Sequence, residues 1–188
     1  MSQSKVILIF WILTLVAVMV YGCGGKKKSD NFSGSGGGGV TTGTGTGTGT
    51  GGGSGGGGNI VNETEYENEV FDLVNEERAA AGVSGLIWDE PTAEVARAHS
   101  RCMRDHGSIY HICNYGHGRP EDRLAAGGVS FLYCAENVAK YHSTPSKVMT
   151  AWMNSSGHRK NILSAQYTHI GIGLANPGSY WTQNFLQR

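Results

Sequence analysis

From Thr64 onward the apolar positions fall at helical spacing. Thr64 and Glu67 stand three apart and read as a capping box at a helix start. Tyr66, Val70, Leu73 and Val74 then mark one face, and Gly82 closes the run as a C-cap glycine. A first helix is predicted over residues 65–81. Gly85 to Trp88 reads as a short extended link. Asp89-Glu90-Pro91 opens a second helix with Pro in its first turn. Ala93, Ala96, His99, Ser100 and Met103 share its stripe, and it should stop near Gly107. A short helix is predicted over residues 119–126, closed by Gly127-Gly128, and Thr144-Pro145 caps another that carries Val148, Ala151 and Trp152. Three segments read as strands: residues 137–141, 169–175 and 180–186. The last two face each other across Asn176-Pro177-Gly178-Ser179, a hairpin signal. Helices come first and strands late, which predicts an α+β domain with a small antiparallel sheet covered by helices.

The pattern ahead of that domain is different. Residues 6–20 form an apolar run of fifteen with Thr14 as its one polar member. Such a run suits a signal-peptide core and is shorter than the roughly 20 residues a spanning helix needs. Gly22-Cys23 follows at once and resembles a bacterial lipobox, which implies cleavage before Cys23 and diacylation of that cysteine. An uncleaved N-terminal anchor is the alternative, and either reading exports the domain. Two acyl chains suffice for stable membrane anchoring. Gly24, rather than Asp, after the cysteine leans toward an outer membrane or cell-surface location. From residue 33 to 58 the chain is almost wholly Gly, Ser and Thr. That composition has nothing to bury against the entropy of ordering, so it is expected to be a tether with a reach of about 30–35 Å. The expected organisation is a signal peptide at 1–22, a tether at 23–59 and one folded domain at 60–188.

Charge narrows the partners. The formal net charge is zero over 188 residues. It splits into a lysine-rich leader and a slightly acidic domain that holds all seven histidines. A domain without a basic excess argues against nucleic-acid binding.

Six segments occur in order: FDLVNEERAAAGVSGLIWDE, EVARAHSRCM, Ala135-Glu136-Asn137, AWMNSSGHRKNIL, THIGIGLA and YWTQNF. Together they resemble the CAP superfamily of cysteine-rich secretory, antigen 5 and pathogenesis-related proteins, in its bacterial SCP-like branch. The resemblance covers residues 66–186. It implies a three-layer α-β-α sandwich with a mainly antiparallel central sheet and a cleft on one face.

The family cleft carries two histidines and two acidic residues. The resemblance places Glu136 and His158 there, with His111 as the first histidine and His106 and His117 as fallbacks. The second acid would fall at Ser155, so this chain keeps three of the four members. Asn137 and Arg159 are expected to support loop backbone around the cleft. Two imidazoles and a carboxylate could hold a divalent metal such as Zn²⁺, with Glu136 the candidate base for a metal-bound water. The other reading makes the same three residues a hydrogen-bonded brace. No His-Glu-x-x-His pair is present, so nothing marks a metalloprotease. His99 is expected to be a buried, hydrogen-bonded histidine. With Cys23 lipidated, three cysteines remain. Cys113 and Cys134 flank His111 and Glu136 and are the first-choice disulfide, with Cys102–Cys113 second.

The function expected from these features is a membrane-anchored binding module of the bacterial cell envelope for a lipid, a wall component or a protein. A metal-dependent hydrolase and a purely structural envelope protein are the alternatives.

Overall fold

The structure is a computed structural model and describes residues 22–24 and 62–188. The apolar segment at 6–20 and the glycine-rich tether at 33–58 lie outside the described residues. In chain order the elements are β1 (Gly22–Gly24), α1 (Glu63–Ala80), β2 (Ile87–Trp88), α2 (Glu90–Asp105), α3 (Pro120–Ala126), β3 (Tyr133–Ala139), α4 (Pro145–Asn154), α5 (Ser156–Ile162), β4 (His169–Ala175) and β5 (Tyr180–Gln187). The five strands lie in the order β1-β3-β5-β4-β2, with every pair antiparallel except β2 and β4. Among the described residues no helix is long and apolar enough to cross a membrane.

Strand alternation divides the core into two layers. Ile170, Ile172 and Leu174 of β4, Trp181 and Phe185 of β5 and Ala135 and Ala139 of β3 pack with Val70 and Val74 of α1 and Trp152 of α4. On the opposite face Cys134 and Leu186 meet Val95 of α2 and Leu124 of α3, while Val138 and Tyr180 meet Met103. The result is the expected α-β-α sandwich. Helix α2 lies almost directly on β4. A Cβ added at Gly171 would stand 2.2 Å from the Ala93 amide nitrogen, and one at Gly173 would stand 2.2 Å from that of Arg97. These two positions, two apart on one face of a strand, set the helix–sheet distance. Ser100 uses the closeness: its hydroxyl donates to the Gly173 carbonyl at 2.9 Å and lies 2.8 Å from that of Thr182.

The local signal at Asp89 held and the one at Thr64 did not. Asp89 caps α2, its carboxylate accepting from the Thr92 amide at 3.1 Å. The capping box at Thr64 does not form. Helix α1 starts earlier, with Asn62 at the N-cap. Glu67 is instead buried and reaches across the fold, accepting from Arg97 and from the Leu174 amide, each at 2.8 Å. The third strand begins at Tyr133 rather than at residue 137, which puts Cys134, Ala135 and Glu136 inside the sheet. Helix α5 is an element without a counterpart in the sequence reading; Ser155 breaks the backbone between it and α4. Arg78 ties the far side together, donating to the carbonyls of Ser84, Ile162 and Ser164 at 2.6–2.9 Å.

Candidate functional site

Glu136 sits on β3 between Cys134 and Val138 on the same face, so its side chain points toward α2 and α3. It is fully buried, and each oxygen has a partner. His111 Nδ1 lies 2.9 Å from Oε1. The Arg123 guanidinium donates to Oε2 at 2.5 Å. Arg123 also donates to the carbonyls of His111 and Gly118, both at 2.9 Å, and so fixes the loop that carries His111. His99 completes the group from α2. Its Nε2 donates to the Tyr110 carbonyl at 2.8 Å and stands 3.8 Å from Glu136 Oε1. Burial works against the Glu136 carboxylate, but the His111 hydrogen bond and the Arg123 charge outweigh it and hold the group below its ordinary range.

His111 and Glu136, both named from the sequence, stand 2.9 Å apart. His158, half-buried on α5, is near enough for the charge of His111 to bear on it. Asn137 alternates to the other face and holds α5. Its Nδ2 donates to the His158 carbonyl at 3.2 Å and to Gln183 at 3.1 Å, and its Oδ1 accepts from Asn161 at 2.9 Å. Arg159 is exposed and donates to the Met153 carbonyl at 3.2 Å. Ser155 sits at the α4–α5 junction with a buried hydroxyl that has no partner. Of the fallback histidines, His106 stacks on Tyr115 with ring centres 3.4 Å apart, and His117 gathers with two cysteines instead. Arg123 and His99 are the members that motif reading did not assign to the group. The one available signal was an arginine three residues into a short helix just before the Glu136 strand.

As arranged, His111, His158 and Glu136 do not fit a metal ion. The carboxylate is spent on Arg123 and His111. Among the described residues the group of ligand atoms that does converge is a different one, Cys102, Cys113 and His117. The same saturation removes Glu136 as a free base. The expected Cys113–Cys134 bond is not made: Cys134 is disulfide-bonded, whereas Cys102 and Cys113 are both free. The strand start explains this. Cys134 lies in β3 facing the α2–α3 layer, where in the backbone register Cys23 stands opposite it, while Cys113 turns toward Cys102 with their sulfurs 3.3 Å apart.

A groove of about 940 Å³ opens beside the cluster, between α2, the loop at residues 116–118 and α3. Val95, Ala98 and Ala126 give it apolar walls, and Arg101, His99 and Arg123 give it polar ones. His99 Nδ1 and Arg123 Nε are both buried without a partner.

The histidines make the fold acid-sensitive. Burial first, and for His158 also the nearby His111, lowers the pKa of His99 and His158 to about 4 from the usual 6.5. Between those values the unfolded chain binds more protons than the folded one, so stability falls as pH drops from about 6.5 toward 4. Glu136 acts in the same direction, because its folded pKa is depressed and its contribution is lost as pH falls through that value. Urea midpoints measured across this range should decline steadily, and His99→Gln should flatten the decline. A pH-independent midpoint would contradict the neutral, buried state of both histidines.

Comparison with known proteins agrees with this architecture. Residues 71–185 match CAP, the cysteine-rich secretory protein family. The Bacillus subtilis protein YkwD is 44% identical over 121 residues, 64% of this chain and 47% of its own length. The B. subtilis membrane protein YlbC is 39% identical over 126 residues, 67% of this chain and 36% of its own length. The chain thus spans less than half of either relative. An extracellular SCP-domain protein of Bacillus anthracis superposes with a TM-score of 0.64 at 37% identity, over 67% of this chain and 41% of that one. An outer surface protein of Borrelia burgdorferi shares the fold, with a TM-score of 0.61 at 20% identity, over 66% of this chain and 93% of that one. With its sandwich, its His111–Glu136 pair and its ordered motifs, the chain belongs to the CAP, cysteine-rich secretory protein, family.

Proposed function

We propose that this chain is an exported, membrane-anchored binding module of the bacterial cell envelope, and that the groove between α2 and α3 takes the ligand. The observation that carries the reading is the pair of buried polar atoms beside that groove. His99 Nδ1, an acceptor when Nε2 holds the proton, and Arg123 Nε, a donor, both lack partners. A ligand hydroxyl that reached either atom could donate to His99 Nδ1 or accept from Arg123 Nε. Hydroxyl-bearing envelope components, wall glycan or glycerolipid headgroup, have that chemistry. The Glu136 cluster then acts as a brace that holds the groove wall, not as a catalyst. Anchoring through Cys23 rests on the lipobox and needs that sulfur free, so the lipidated chain would leave Cys134 without the disulfide it makes in this structure. A relative named as a membrane protein and a similar extracellular SCP-domain protein fit that location.

The test is titration of the purified chain with soluble wall glycan fragments and with glycerophospholipid vesicles. Ala98 lines the groove from the exposed face of α2. Ala98→Trp should fill the groove and weaken binding at least tenfold, about 1.4 kcal/mol, without changing stability. Binding of neither probe, or equal binding by Ala98→Trp, sinks the groove reading. Mass spectrometry of the mature N-terminus checks the anchor. A diacylglyceryl Cys23 supports it, and Cys23 recovered in a disulfide-linked peptide overturns it.

A further inference from the structure

Two free thiols and an imidazole converge outside the Glu136 cluster. Cys102 comes from the C-terminal part of α2 and Cys113 from the loop toward α3; both are buried. Their sulfurs are 3.3 Å apart. Buried free cysteines usually serve as small apolar groups, but this pair has polar company. The Tyr110 hydroxyl lies 3.2 Å from the Cys102 sulfur. The backbone amides of Tyr115 and His117 hydrogen-bond the Cys113 sulfur. His117 brings a ring nitrogen so that all three ligand atoms lie within 4.8 Å of one another.

The loop is shaped to hold that arrangement. Cys113 and Gly118 exchange backbone hydrogen bonds of 2.8 and 3.1 Å in an isolated antiparallel bridge. The bridge closes residues 113–118 into a tight turn, with Gly116 at φ 94° and Gly118 at φ 65°, the left-handed region that glycine tolerates. The turn aims the Tyr115 and His117 amide N–H groups at one sulfur, and amide donors of that kind stabilise a thiolate. Arg123 anchors the turn through the Gly118 carbonyl.

We propose that Cys102, Cys113 and His117 form a binding site for a thiophilic divalent cation, Zn²⁺ foremost. The donor set decides the class of ion: thiolate and imidazole suit Zn²⁺, and Mg²⁺ or Ca²⁺ would want oxygen. A tetrahedral zinc with Zn–S bonds of about 2.3 Å sets its sulfurs about 3.8 Å apart. The pair need open by only about half an ångström from the separation here, whereas a disulfide at about 2.05 Å would require a closure of more than an ångström. On binding, each thiol gives a proton to solvent and its sulfur electron pair to the ion. Two protons leave, and the two thiolates balance the cation charge. His117 coordinates as neutral imidazole, which leaves a fourth position for water or an added ligand. His117 also lines the groove, so the site is read by its own signals, metal uptake, proton release and the charge-transfer band, none of which depends on groove binding.

The test uses the full chain, reduced, stripped with chelator and titrated with Zn²⁺ alone and with Co²⁺ as a spectroscopic probe. One ion per chain, two protons released and a sulfur-to-cobalt charge-transfer band are expected. Cys113→Ser should abolish the band. His117 is exposed, so His117→Ala should fold normally and bind Zn²⁺ at least about tenfold more weakly. If Cys113→Ser fails to fold, His117→Ala still decides the matter. His158→Ala should bind as the parent does. Absence of the band, unchanged Zn²⁺ affinity in His117→Ala, or recovery of Cys102 linked to Cys113 from cells lysed under thiol-blocking conditions would each overturn the site.

Discussion

Replacing Arg123 with Met is expected to destabilise the domain by about 3–5 kcal/mol, read as a lowered urea midpoint. The cause is not the loss of one ion pair. Glu136 is fully buried, and Arg123 supplies the positive charge to its Oε2. Without the guanidinium a carboxylate remains in the core with His111 as its main neighbour, and the carbonyls of His111 and Gly118 lose a donor. The carboxyl would then take up a proton well above its present pKa, so the variant should unfold at a higher pH than the parent on acidification. Adding Glu136→Gln should restore part of the loss, because the neutral amide removes the unpaired charge. That non-additivity is the signature of a coupled pair. If the double variant is as unstable as the two losses summed, the brace is not a single electrostatic unit.

Gly173→Ala should be comparably severe, at or above the usual 1–3 kcal/mol of core overpacking. The new methyl would meet the backbone of α2, at 2.2 Å from the Arg97 nitrogen and 2.4 Å from the Ala96 carbonyl carbon. A side chain can rotate out of such a clash, but a helix backbone must shift as a whole. That shift would also stretch the Ser100 hydrogen bond to the Gly173 carbonyl. Gly85→Ala is the control. Its Cβ would meet only the Asn75 side chain, at 3.4 Å, so it should cost less than about 1 kcal/mol. Equal losses at the two positions would mean that helix–sheet contact does not set the limit.

These two cases mark where the sequence was readable. Asp89 caps α2 and Tyr180 follows a tight hairpin because their partners are a few residues away. The family motifs pointed to His111 and Glu136, which share a hydrogen bond of 2.9 Å. Glu67 was misread because its true partners, Arg97 and the Leu174 amide, lie 30 and 107 residues on; a local capping pattern carries no trace of them. Arg123 was not assigned to the site, since a buried guanidinium looks like any surface arginine until the strand beneath it is known. The cysteine pairing failed for a similar reason. Starting the strand at residue 137 left Cys134 in a loop, whereas in β3 its facing direction is fixed by alternation. The groove had no sequence signature at all, because it is the space left between a helix stripe and a loop.

The sheet edges bear on how densely such a molecule can be displayed. The strand at one end, β2, has two residues, and the one at the other end, β1, has three. Beyond β1, Asn161 of α5 donates to the Glu136 carbonyl of β3 at 3.5 Å. Among the described residues neither terminal strand itself presents more than three residues of edge to a neighbour's strand. Two copies brought together at such an edge would have at most a three-residue strand to pair with.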